Sequence, residues 1–170
     1  RQRQFHQTGV EAFGSDGPAI DVEVIVLAVD CMHALGIEKF DVHLNSIGCN
    51  VCRAVFKEKL KEALRQHLPN LCTDCQNRFE RNPLRMLDCK NGSCQQYFTD
   101  LPSSLSSLCQ DCRQHFDELL RLLTLVGVPP VVNERLVRGL DYYGRTVFEL
   151  ISDDPRLGAQ STICAGGRYD

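Results

Sequence analysis

The sequence predicts an α+β protein, an antiparallel β-sheet flanked by helices and interrupted by a helical, cysteine-rich insertion. Three observations carry this. The two outer parts of the chain hold strand-like runs, of which Phe40-Asp41-Val42-His43-Leu44-Asn45 alternates most cleanly; residues two apart on such a run share one face. The middle has apolar residues at helical spacing. Eight of the ten cysteines lie in that middle, as four close pairs. The chain therefore divides into residues 1–48 and 128–170, which build the sheet domain, and residues 49–127, a helical insertion whose cysteines span 49–112.

Residues 1–13 alternate loosely and predict an edge strand, on which Gln7 and Glu11 point the same way. Residues 14–17 are a turn. Pro18 opens a helix that covers residues 20–35 and stops at Gly36. Ile25, Ala28, Val29, Met32 and Leu35 form its buried stripe. The next strand buries Phe40, Val42 and Leu44 and ends at Ile47-Gly48. Helical segments at about 50–66, 71–82 and 110–126 then alternate with short cysteine-bearing turns. The last of these helices carries Phe116, Leu119, Leu120, Leu123 and Val126, and ends at Gly127 before Pro129-Pro130. Strands at 131–137, 146–152 and 161–165 complete the chain.

A length of 170 residues suits one domain, or one domain with a small insert, and 43% apolar residues is ordinary for a globular chain. The net charge of −3 leaves no electrostatic footprint for non-specific nucleic-acid binding. No apolar run approaches the roughly 20 residues that cross a bilayer. The chain opens Arg-Gln-Arg-Gln without a leader or an initiator Met and stops at Tyr169-Asp170. It reads as a piece of a longer, cytoplasmic protein.

In a secreted chain ten cysteines would suggest disulfides; without a secretory signal, metal binding takes precedence. The pairs are Cys49 and Cys52, Cys72 and Cys75, Cys89 and Cys94, Cys109 and Cys112. The first two pairs are separated by 19 residues, a spacing used by four-cysteine zinc sites. Two intervening residues let both thiolates of one turn reach one ion at about 2.3 Å. Eight ligands make two closed tetrahedral Zn2+ sites, structural because neither keeps a position open for water. An iron–sulfur cluster and free or disulfide-forming thiols are the other readings. Spacing does not tell which pairs share an ion. Each filled site adds about −2, so two would take the chain to about −7. Cys31, in the buried helix, and Cys164, in a strand, are expected to be unliganded.

Three polar segments stand out on the strand-rich parts: residues 1–11, 138–143 and 165–170. Paired glycines such as Gly166-Gly167 let backbone approach a ligand or another strand. Arg138 offers a planar fork for a phosphate or carboxylate. Glu11 and Gln7 can take an amine or an N–H donor, and Tyr142 and Tyr143 offer ring faces and hydroxyls. Together they suit a pocket for a small zwitterion beside an anion.

These segments resemble the histidyl-tRNA synthetases, which are class II aminoacyl-tRNA synthetases. Arg1-Gln-Arg-Gln-Phe-His-Gln-Thr-Gly-Val-Glu looks like the second half of the family's motif 2. Leu136-Val-Arg-Gly-Leu-Asp-Tyr-Tyr-Gly-Arg-Thr-Val-Phe-Glu looks like its first histidine signature, and Ala165-Gly-Gly-Arg-Tyr-Asp like its second. Pro18-Ala-Ile-Asp, Leu44-Asn-Ser-Ile-Gly and Asn82-Pro-Leu-Arg also fit, so the resemblance runs over the whole chain.

The resemblance implies a partial class II catalytic core that activates L-histidine with ATP and Mg2+ and transfers it to tRNA(His), as a homodimer. It implies that Gln7, Glu11, Tyr142, Tyr143, Tyr169 and the backbone of Gly166 and Gly167 surround histidine. Arg138 would hold the α-phosphate as the catalytic cation, Phe5 would lie against adenine, and Arg1 or Arg3 would approach the nucleotide. The family's motif 1, the first part of motif 2, motif 3 and the anticodon domain are absent from these residues, so this stretch alone is expected not to aminoacylate. The cysteine pairs are not a constant feature of the family. Lys57, Lys59, Lys61, Arg65, Arg78, Arg81 and Arg85 make a solvated helix face or a tRNA contact. The competing readings are a non-catalytic relative, the regulatory subunit of ATP phosphoribosyltransferase, and a zinc-stabilised binding module without chemistry.

Overall fold

The computed structural model describes residues 4–140, 142–154 and 161–169. Among them, strands β1 (Asp41–Ser46), β2 (Val131–Val132), β3 (Tyr143–Ile151) and β4 (Thr162–Tyr169) form one sheet in the order β2-β1-β3-β4. β1 and β4 each run antiparallel to β3; β2 adds to β1 in parallel. A parallel neighbour needs a long crossover, and here the whole cysteine-bearing middle supplies it.

Helices α1 (Pro18–Ala34) and α5 (Gln110–Leu125) cover one face of this sheet. Val22, Ile25 and Val29 of α1 meet Phe116, Leu119 and Leu123 of α5 over Val42, Leu44, Phe148 and Leu150. Pro18 starts α1, and Gly36 (φ 77) reverses the chain after it. Leu35, expected in the buried stripe, is exposed because it caps the helix, one residue past its end. Cys31 is exposed as well, at the rim of a cavity between α1 and β4. Gly127 (φ 81) closes α5, with Val128 N–H reaching back to the Leu123 carbonyl at 2.9 Å. The apolar stripe of α5 thus serves the sheet, although its sequence position falls inside residues 49–127.

Helices α2 (Asn50–Arg65), α3 (Thr73–Arg81) and the short α4 (Gly92–Gln95) form a second packed unit. Its interior joins Leu60, Leu64, Leu71, Phe79, Met86 and Phe98 to Cys75, Cys89 and Cys94.

Two strand expectations fail. Residues 4–13 form no strand among the described residues, because alternation creates a strand only where a neighbour accepts its ladder. The run 131–137 shortens to two paired residues. Asn133 ends it: its carbonyl accepts from Leu136 N–H at 2.9 Å and its side chain from Arg135 N–H at 3.1 Å, which turns the chain out of the sheet.

Candidate functional site

A cavity of about 350 Å³ lies between residues 8–15, α1 and the inner end of β3 and β4. Its polar end is formed by Glu11, Tyr143, Gly167 and Tyr169. Tyr169 Oη donates to Glu11 Oε1 at 2.7 Å. Tyr142 stands edge-on to both Tyr143 and Tyr169, with ring centres 5.1 and 5.8 Å away. The hydrogen bond to the Glu11 carboxylate pushes the Tyr169 hydroxyl up to about 12, and burial raises that of Tyr143. Both therefore stay protonated donors at neutral pH.

The glycines explain how the ring fits. A Cβ on Gly167 would lie 2.6 Å from the ring of Tyr143, and one on Gly166 would lie 2.5 Å from the ring of Phe148. β4 therefore needs bare backbone on both faces where it passes β3.

Behind the cavity is a buried polar cluster that sequence reasoning did not single out. Asp21 accepts from Thr146 Oγ1 at 2.6 Å and from Arg168 Nη1 at 2.7 Å. Arg168 continues to the Ser15 carbonyl at 2.6 Å, tying the segment that carries Glu11 to β4. His115 Nε2 sits 3.4 Å from Asp21 without making a hydrogen bond, and burial, opposed by Asp21, holds its pKa below the usual value. One signal was readable: Asp21 is four residues before Ile25, on the buried stripe, and a carboxylate there needs a partner.

Arg138 lies outside the cavity lining and pairs with Glu149. Its Nε is buried and makes no hydrogen bond among the described residues. The chain leading to it is fixed by Asn45, whose fully buried amide donates to the carbonyls of Glu134 (3.2 Å) and Leu136 (3.0 Å) and contacts the Ser104 hydroxyl at 3.1 Å.

The cysteines assemble in a nested order. Cys72, Cys75, Cys89 and Cys94 form an inner cluster; Cys49, Cys52, Cys109 and Cys112 form an outer one across the neck of the insertion. Within each cluster the four sulfurs lie within 4.8 Å of one another, close to the roughly 3.8 Å between ligands of a tetrahedral zinc with 2.3 Å bonds. Cys49, Cys72 and Cys109 are the N-caps of α2, α3 and α5, and the second cysteine of each pair sits in the first turn. That position supplies N–H groups and the positive helix end, which favour thiolate. The N–H groups of Cys52 and Cys75 bring Cys49 and Cys72 down to about 7. Burial, with the neighbouring cysteines, pushes Cys112 up to about 12, and burial first of all raises Cys52, Cys75 and Cys89. A divalent cation, if bound, would favour the thiolate form of all four sulfurs together.

The sequence profile described as "Histidyl-tRNA synthetase" matches residues 1–170. The chain belongs to the histidyl-tRNA synthetase family. Proteins named histidine–tRNA ligase from Desulforamulus reducens and Desulfitobacterium hafniense are 51% and 53% identical to it over all 170 residues. The chain spans 40% of the length of each of these relatives. Apo Staphylococcus aureus histidyl-tRNA synthetase superposes with a TM-score of 0.70 at 28% identity, over 92% of this chain and 37% of that one.

Of the residues that the histidyl-tRNA synthetase signatures single out, the structure brings together Glu11, Tyr142, Tyr143, Gly167 and Tyr169, with Gly166 beside them. It does not bring Gln7 or Phe5 to the cavity; both are exposed on the segment that forms no strand. Arg1, Arg3 and Asp141 lie outside the described residues. No described helix is long and apolar enough to cross a membrane.

Proposed function

We propose that the full-length protein is a histidine–tRNA ligase. It activates L-histidine with ATP and Mg2+ and passes it to tRNA(His), as a homodimer in the cytoplasm. The observation that carries this is the Tyr169–Glu11 hydrogen bond of 2.7 Å beside Tyr142, Tyr143 and the bare Gly167 backbone, in a chain of the histidyl-tRNA synthetase family.

Neutral imidazole carries one donor and one acceptor. Glu11, held by the Tyr169 hydroxyl, accepts; Tyr143, kept protonated, donates. An amino acid without that pair leaves buried polar groups unmatched, which is how such a pocket discriminates. Attack of the histidine carboxylate on ATP spreads charge around the α-phosphorus. By resemblance, Arg138 meets that charge with a guanidinium already held by Glu149, so little reorganisation is needed. Gln7, against the histidine, and Phe5, Arg1 and Arg3, around the nucleotide, complete the set by resemblance.

The same reading gives each cysteine cluster one structural Zn2+. Residues 49–127 form an insertion borne by the catalytic domain, with α5 shared between the two.

The test is histidine-dependent exchange of pyrophosphate into ATP by the full-length protein. Exchange with histidine and not with other amino acids is the expected result, falling about 10²–10³-fold in Arg138→Ala. Histidine binding without exchange would move the protein to the regulatory relatives, and the absence of both would sink the proposal.

A further inference from the structure

Tyr143 is carried on a piece of backbone that its own residues disfavour. Arg145 has φ 52, in the left-handed region that costs a residue with a Cβ roughly 1 kcal/mol or more. The ladder between β3 and β4 slips here, between Tyr143 and Val147, and such bulges re-aim the side chains beside them.

Three hydrogen bonds tie the bulge to residues 47–53. Ile47 N–H donates to the Arg145 carbonyl at 2.8 Å, and Arg145 N–H to the Gly48 carbonyl at 2.9 Å. Arg53 Nη1 donates to the Tyr143 carbonyl at 2.5 Å, while its Nη2 is held by the Asn50 side chain. This corner has no slack. Gly48 is at φ 68, and a Cβ there would lie 2.4 Å from Cβ of Cys52 and 2.9 Å from Leu108. On its other side is the outer cysteine cluster, where Cys109 N–H donates to Cys52 Sγ at 3.1 Å.

We infer that the outer cysteine cluster and Arg53 together position the amino-acid pocket. The metal-filled cluster locks the first turn of α2, and Arg53, on that turn, holds the Tyr143 carbonyl and so the ring above Gly167. Arg53 touches no substrate; it is a positioning residue. The inference rests on the proposed histidine-activating function and adds to it that the insertion's metal is read out as affinity for histidine.

The test uses the full-length protein with Arg53→Ala, Arg53→Lys and the double variant Cys109→Ser/Cys112→Ser. Arg53→Ala is expected to raise KM for histidine roughly tenfold, with kcat and KM for ATP changed less than about twofold. It keeps both zinc ions by native mass spectrometry, and Arg53→Lys recovers part of the loss. The double variant loses one zinc of two and shows the same KM defect. In both, the amides of residues 143–146 exchange faster with deuterium. An unchanged histidine KM and unchanged exchange in Arg53→Ala would overturn the inference, as would a double variant that keeps two zinc ions or normal KM. If Arg53→Ala does not fold, Arg53→Lys carries the same comparison. If the parent protein supports no histidine-dependent exchange, the functional reading fails, and deuterium exchange at residues 143–146 still decides the role of Arg53.

Discussion

In the sheet layer, the buried cluster is made of Val, Ile, Leu and Phe from five elements, with no cysteine among its eleven buried residues. In the insertion, three of nine buried residues are cysteines, so a third of that interior is side chains that a shared cation would bind together. The first region can fold on apolar burial; the second has too few large side chains for its size and needs a staple. The two differ in what removes them. A chelator should leave the sheet and dissolve the insertion, whereas a cavity in the sheet should do the reverse.

The largest expected effect follows from that contrast. Structural zinc is worth about 10–16 kcal/mol in small zinc-folded units. Cys75→Ser should therefore cost the inner ion and abolish protection of amides in α2–α4, with α1, α5 and the sheet still protected. Cooperative loss of both regions would break the comparison. Next is Leu119→Ala, fully buried between α5 and the sheet. It is expected to cost about 2–5 kcal/mol in chemical denaturation followed in the sheet region, without loss of zinc.

Gly167→Ala sets a Cβ 2.6 Å from the Tyr143 ring. It should cost about 1–3 kcal/mol and raise KM for histidine more than KM for ATP, measured by pyrophosphate exchange. The smallest effect concerns His115, kept below its usual pKa by burial. The unfolded chain then binds a proton near pH 6.5 that the folded chain refuses, so its contribution is whole above about 6.5 and is lost as pH falls through that value. His115→Gln should flatten the decline of stability below about pH 6.5; an unchanged slope would remove His115 from the account.

Most of the helices and the central strand were legible because their signals are local. Val42 and Leu44 alternate inward on β1, and Phe116, Leu119 and Leu123 repeat at helical spacing. Residues 4–13 were misread because a strand is a pairing, and no described strand accepts them. The C-x2-C pairs announced metal ligands, but their partners depend on three dimensions. The spacing between the pairs at 49–52 and 72–75 is one that four-cysteine sites use and left the partners open; the crossover folds back and sets Cys109 and Cys112 beside Cys49 and Cys52. Glu11, the tyrosines and Gly167 were legible through the signatures. Arg53 was not: one arginine on a charged helix carries no mark, and its role comes from the Tyr143 carbonyl beside it.

The contrast between the two regions comes down to one measurement, the metal content of the full-length protein by native mass spectrometry with X-ray fluorescence to identify the ion. The account predicts two zinc ions per chain, one lost in Cys75→Ser and the other in Cys109→Ser/Cys112→Ser. A metal-free folded protein, or a mass showing disulfides among these eight cysteines, would contradict it.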